Sequence, residues 1–192
     1  MKKIFVYSIL LFVIYPISNN LFAQTEKGTW LLGGSANFSN EFTNDDFRMN
    51  IAPNLGYFVI NDLSIGAEVP FSLSRTDNVG SSTLSSSSLG IVPSVRYYLN
   101  LTEKIKILLN AFGGLRFSRF RSEGTPSFSS NRTFIQLGGR SGLAFFLNRH
   151  VALETTLNYL HFREAGSRDS FPENLISLNL GLQIHFAKGN KE

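Results

Sequence analysis

Apolar and polar residues alternate along eight segments of this chain. The last of them, Ile176-Ser177-Leu178-Asn179-Leu180-Gly181-Leu182-Gln183-Ile184-His185-Phe186, sets a row of large apolar side chains on one face and Ser, Asn, Gly, Gln and His on the other. Alternation of period two over that length describes a β-strand lying between an apolar and a polar medium. The other segments repeat the pattern. The strands are expected at about 29–39, 47–58, 63–74, 88–99, 104–118, 133–147, 151–162 and 175–186. The third is the cleanest, with Leu63, Ile65, Ala67, Val69, Phe71 and Leu73 on one face. Three prolines cut across the scheme. Pro53, Pro70 and Pro93 fall inside the second, third and fourth strands, where a missing N–H predicts bulges or locally unpaired carbonyls.

The connections alternate in length. Asn61-Asp62, Asn100-Leu101-Thr102-Glu103 and Asn148-Arg149-His150 are short turn sequences. Asn40 to Asp46, Arg75 to Ser87, Arg119 to Arg132 and Arg163 to Glu173 are longer and polar. Within the second of these, Ser81-Ser82-Thr83-Leu84-Ser85-Ser86-Ser87-Ser88 is low in complexity and is expected to be a mobile loop end. Short turns at one end and long loops at the other predict an all-β fold: an eight-stranded, antiparallel, up-and-down transmembrane β-barrel, with the short turns periplasmic.

The rival is a soluble barrel with its apolar face inward. Volume decides between them, because roughly 40 bulky apolar side chains cannot enter an interior that eight strands leave just wide enough for side chains. The aromatics agree. Trp30, Tyr57, Tyr97, Phe145 and Phe186 lie on the apolar face at the short-turn end, and Phe38, Phe47, Phe71, Phe117 and Tyr159 lie on it near the long loops. These are two interfacial girdles.

Residues 1–23 read as an export signal: Lys2 and Lys3, an apolar stretch from Ile4 to Tyr15, and Leu21-Phe22-Ala23 before Gln24. The apolar run of about 12 residues is shorter than the ~20 of a spanning helix, so cleavage is expected, leaving residues 24–192 as one barrel domain. Loss of Lys2 and Lys3 lowers the formal charge from +4 to +2. The basic residues are scattered, which argues against nucleic acid as a partner. With no cysteine and three dispersed histidines, no metal site or other cofactor is expected.

The stretches Pro53-Asn54-Leu55-Gly56-Tyr57-Phe58-Val59, Leu63-Ser64-Ile65-Gly66 and Pro93-Ser94-Val95-Arg96-Tyr97-Tyr98-Leu99 resemble the small outer-membrane β-barrel domain family. This is the OmpA- and OmpX-like group of the porin superfamily in Gram-negative bacteria. The resemblance implies the barrel fold and a cell outer-membrane location, and little about function. The expected partners are outer-membrane lipid, including lipopolysaccharide, and the barrel-assembly machinery during biogenesis, and the chain is expected to act as a monomer. Phe186 stands where the family has its terminal aromatic, and no further domain is expected after the barrel.

The polar face carries Arg48, Glu68, Arg96, Arg116, Arg140 and Glu154. One reading is a charged constriction that selects ions; the other is an ion-pair network that plugs the lumen, since buried charges must be paired. Neighbouring strands suggest the pairs Glu68 with Arg96 and Glu154 with Arg140. Arg116, Arg119, Arg121 and Arg132 bracket the third loop, where they can meet lipopolysaccharide phosphates. His161 reads as a girdle residue, His185 as a lumen-rim residue and His150 as part of a turn. No spacing supports a Ser–His–acid hydrolase. The sequence therefore describes a non-enzymatic envelope scaffold whose loops are either adhesive or ligand-binding surfaces or plain connectors. A narrow porin-like channel and, behind it, a lipid-modifying enzyme are the alternatives.

Overall fold

The alternation closes into one antiparallel sheet in a computed structural model that describes residues 25–41, 46–78, 82–123, 127–166 and 173–186. Its strands are β1 (Trp30–Glu41), β2 (Asp46–Ile60), β3 (Leu63–Glu68), β4 (Phe71–Asn78), β5 (Ser82–Asn100), β6 (Ile105–Glu123), β7 (Phe128–Phe146), β8 (Val151–Glu164) and β9 (Glu173–Phe186). The expected leader, residues 1–23, lies outside the described residues.

β3 and β4 are two halves of one wall strand. Both pair with β2 and with β5, and neither partner changes register across the break at Val69-Pro70. With β1 bonded to both β2 and β9, the sheet is a closed ring of eight strands, and no edge is left along the paired rows. The outward row of partners starting at Trp30 runs through Tyr57, Ile65, Val95, Ala111, Gly139 and Tyr159 to Ile176 on β9. Trp30 itself pairs with Phe186, ten residues further along β9. That stagger tilts the strands by about 40° from the barrel axis.

The prolines leave different marks. Pro70 separates β3 from β4, and its carbonyl accepts the Gly90 N–H at 2.8 Å. Pro93 faces Ala67 on β3, while the β5–β6 ladder skips Val92 and Pro93 and resumes in the same register at Ser94. Opposite this gap a Cβ on Gly114 would lie 2.1 Å from the Ile91 carbonyl oxygen, so only glycine fits the close approach. Pro53 sits in an unbroken ladder opposite Gly34, and its carbonyl accepts the Val69 N–H. The register shift in this region is not at a proline; it lies between Phe58 and Ile60.

The long links are shorter than the sequence pattern suggests. Ser82 to Ser88, read as a mobile loop end, is the start of β5 and pairs with β4 and β6. Arg119–Glu123 and Phe128–Arg132 likewise extend β6 and β7 to 19 residues each. Periodicity misses these extensions because beyond the bilayer both faces of a strand are wet. The backbone ladder continues there without any alternation to announce it.

Candidate functional site

The inward face is built in storeys, and the lowest is a floor made by the chain's own N-terminal residues. Lys27 and Gly28 turn the chain beneath the barrel, with Gly28 at φ +92°. Gly28 N–H donates to the Phe58 carbonyl, Phe58 N–H to the Thr29 carbonyl and Asp62 N–H to the Thr25 carbonyl. Asp62 holds φ 63°, a conformation an aspartate tolerates better than most side chains. Lys106 points down from β6. Its Nζ donates to Thr25 Oγ1 and, at 2.8 Å, to Asp62 Oδ1.

Above the floor lies an aromatic layer. Phe58, Tyr98, Phe146 and His185 meet with ring centroids 5.2–6.2 Å apart. Leu31, Leu108, Ala144 and Ala152 fill the remaining space, and all eight are buried.

The ionic layer follows. Arg96 Nη1 reaches both oxygens of Glu154, at 3.1 and 3.2 Å. Tyr98 donates its hydroxyl to Glu154 Oε1 at 2.8 Å, and Gln183 Nε2 donates to Oε2 at 3.2 Å. Arg140 makes a two-pronged pair with Glu68, Nη1 to Oε2 at 2.6 Å and Nη2 to Oε1 at 2.7 Å, with its guanidinium 4.6 Å from the Phe112 ring centroid. Such forks are the strong form of the interaction. The partners are crossed relative to the expectation. Glu68 faces Val92 on β5, four residues from Arg96, and Glu154 faces Ala144 on β7, four residues from Arg140. Four residues along a strand are about 14 Å, so each glutamate is instead met across the lumen. The free volumes beside these pairs are about 20 Å³ and about 10 Å³, close to the ~10–15 Å³ one water needs on this measure.

The upper storey is lined by small hydroxyl residues on β4, β5 and β6, and by Phe134 and Phe162 on β7 and β8, which meet edge to face with centroids 6.0 Å apart. Ser72 and Ser88 share a hydrogen bond at 3.0 Å, and Ser118 and Gln136 are buried nearby. Arg116 projects into this storey, and its Nε is buried without a partner among the described residues. Arg48, placed in the lumen network by parity, instead lies at the rim with a 62 % exposed side chain, 3.8 Å from Asp46; its strand has already left the narrow part of the barrel. At the mouth Arg132 lies 5.7 Å from the Phe120 ring and 3.5 Å from Glu164.

Sequence reasoning missed the floor. Lys106 occupies the polar parity between Ile105 and Ile107 beside a short turn, and that parity was the available signal. Nothing in the sequence ties it to Thr25 or Asp62. His185, read as a rim residue, is fully buried.

A family model described as "Outer membrane protein beta-barrel domain" matches residues 9–186. The chain belongs to that family. This outer-membrane barrel also resembles solved structures. One is Neisserial surface protein A, at 20 % identity and TM-score 0.53, covering 84 % of this chain and 98 % of that one. Another is the attachment invasion locus protein Ail of Yersinia pestis, at 10 % identity and TM-score 0.49, covering 83 % and 99 %. OprG of Pseudomonas aeruginosa matches at 9 % identity and TM-score 0.47, covering 88 % and 100 %. No match is found among curated protein sequences.

In an outer-membrane barrel the exposed apolar wall is the lipid contact. Nine of the ten girdle aromatics are exposed; Phe71 is half-buried. Trp30 and Tyr57 pack with ring centroids 5.0 Å apart in the lower belt. In the upper belt Tyr159 donates its hydroxyl to Asn174 Oδ1 at 2.8 Å, and His161 Nδ1 lies 2.9 Å from the same oxygen.

Proposed function

We propose that this protein is a non-conducting, non-enzymatic scaffold of the outer membrane, with its loop end turned to the cell exterior as a surface for adhesion or ligand binding. The observation that carries the reading is the lumen. A floor held by Lys106 and Asp62, an aromatic layer and two crossed ion pairs stack one above another, and beside the pairs there is room for about one water. The strands β5, β6 and β7, extended past the apolar band, give the loop end a rigid platform.

The histidines support a non-catalytic role. His185 is packed among Phe58, Tyr98 and Phe146, His150 Nδ1 meets the His185 carbonyl, and His161 shares Asn174 with Tyr159. We further propose that the barrel acts as a monomer, is delivered by the barrel-assembly machinery, and starts near Gln24 once its leader is removed. N-terminal mass spectrometry of outer-membrane fractions checks the last point, and an intact Met1 would refute it. Planar-bilayer recordings of the refolded protein test the central reading. A silent membrane is expected, whereas steady, salt-dependent conductance would make it a pore.

A further inference from the structure

On the outer wall, three successive rows of cross-strand partners change character toward the loops. Phe71, Leu89, Phe117 and Thr133 form the first, Leu73, Ser87, Arg119 and Asn131 the second, and Arg75, Ser85, Arg121 and Ser129 the third. Rows are two residues apart, about 7 Å, so the wall passes from apolar to cationic over the depth of a lipid headgroup. A groove of about 250 Å³ lies over the first two rows. Phe71, Leu89 and Phe117 form its apolar part, and Ser87, Arg119, Asn131 and Arg132 are among its polar lining.

Of the two arginines that line the groove, Arg132 is paired with Glu164 and Arg119 is the one with no carboxylate partner among the described residues. Arg48 and Arg121 at this end also have a carboxylate each, Asp46 and Glu123. Arg119 is exposed. A cation without a counter-charge, set beside an amide and a hydroxyl one row above a girdle phenylalanine, suits an anion carried on an apolar body.

We propose that this groove binds a phosphate group of lipopolysaccharide in the outer leaflet. The Arg119 guanidinium forks two phosphate oxygens, Ser87 and Asn131 add hydrogen bonds, and Phe71, Leu89 and Phe117 meet the first methylenes of the acyl chains. The proposal rests on the assignment of the loop end to the cell exterior.

The test uses the full chain refolded in nanodiscs of zwitterionic phospholipid, titrated with lipopolysaccharide, with dephosphorylated lipopolysaccharide and with inorganic phosphate. Bound lipid is counted by native mass spectrometry. Removing the phosphates, or Arg119→Ala, should weaken binding at least about tenfold, the worth of a single charge-assisted hydrogen bond. Arg119→Lys should retain part of the affinity, and Arg149→Ala, at the turn end, all of it. Heat-modifiable gel mobility verifies that each variant is folded. Equal binding of the two lipids, or an unchanged Arg119→Ala, overturns the proposal, and so does displacement of lipopolysaccharide by inorganic phosphate at matched concentration. Conductance in bilayers would overturn the closed-lumen reading and leave the groove intact. Protease cleavage of the long loops from the periplasmic side would overturn the groove's leaflet as well.

Discussion

The two halves of the lumen fill the same cross-section in different ways. Toward the short turns, large side chains interdigitate: Phe58, Tyr98, Leu108, Phe146 and His185 are each no more than 5 % exposed. Toward the loops β4, β5 and β6 offer Ser72, Ser74, Ser86, Ser88 and Ser118, short groups that cannot reach across, and the larger rings Phe120, Phe134 and Phe162 stand only on β6, β7 and β8. Between the halves sit the two ion pairs. The lower half owes its solidity to close packing, so loss of atoms there leaves a void. The upper half has its ring contacts, such as Phe134 with Phe162, on one side only, and its serine-lined side has little packing to lose. Charges survive in the middle only because each meets its opposite.

The contrast can be broken most severely at the ion pairs. Glu154→Ala leaves the Arg96 guanidinium, whose side chain is 6 % exposed, without its anion, and should cost about 3–5 kcal/mol. Urea unfolding followed by fluorescence of Trp30 measures it, and a loss below about 1 kcal/mol would mean that water reaches the pair freely. Phe58→Ala, in the packed half, should cost about 3 kcal/mol, measured the same way. On the opposite side of the wall, Leu178→Arg sets a charge among acyl chains and should cost about 2–4 kcal/mol in lipid. Cysteines placed at 178 and 179 sharpen that point: a lipid-soluble reagent should label the first and spare the second. Ser118→Ala, in the hydroxyl-lined half, should shift stability by no more than about 0.5 kcal/mol. A loss comparable to that of Phe58→Ala would show that both halves are packed alike.

Parity made the wall legible and left the interior half-read. Whether a side chain faces lipid or lumen follows from odd or even position, so Leu178 and Gln183 can be assigned from sequence alone. Height and azimuth do not follow, because they depend on register and on the ten-residue stagger. Adjacent strands therefore suggested Glu68 with Arg96, when Glu68 in fact faces Val92 and pairs with Arg140. The floor was invisible for a related reason. Thr25, Asp62 and Lys106 are separated by 37 and 44 residues in the chain, and three different elements bring them together. The polar strand ends at Ser82–Ser88 escaped notice because alternation reports a difference between two media, and there both faces meet water.

The stagger also has a consequence in time. β1 meets β9 only from Trp30 to Ser35, six partners, whereas its other side has twelve with β2. Every other pairing joins strands that are consecutive, or nearly so, and can zip from a local turn. The β1–β9 seam must instead bring Trp30 to Phe186, the most distant pairing in sequence and the one with the largest loop-closure entropy. It should therefore be the last part of the wall to form during insertion and the first to part during unfolding. Amide hydrogens of Leu31 to Ser35 should exchange before those of β6 and β7, which share eighteen paired positions.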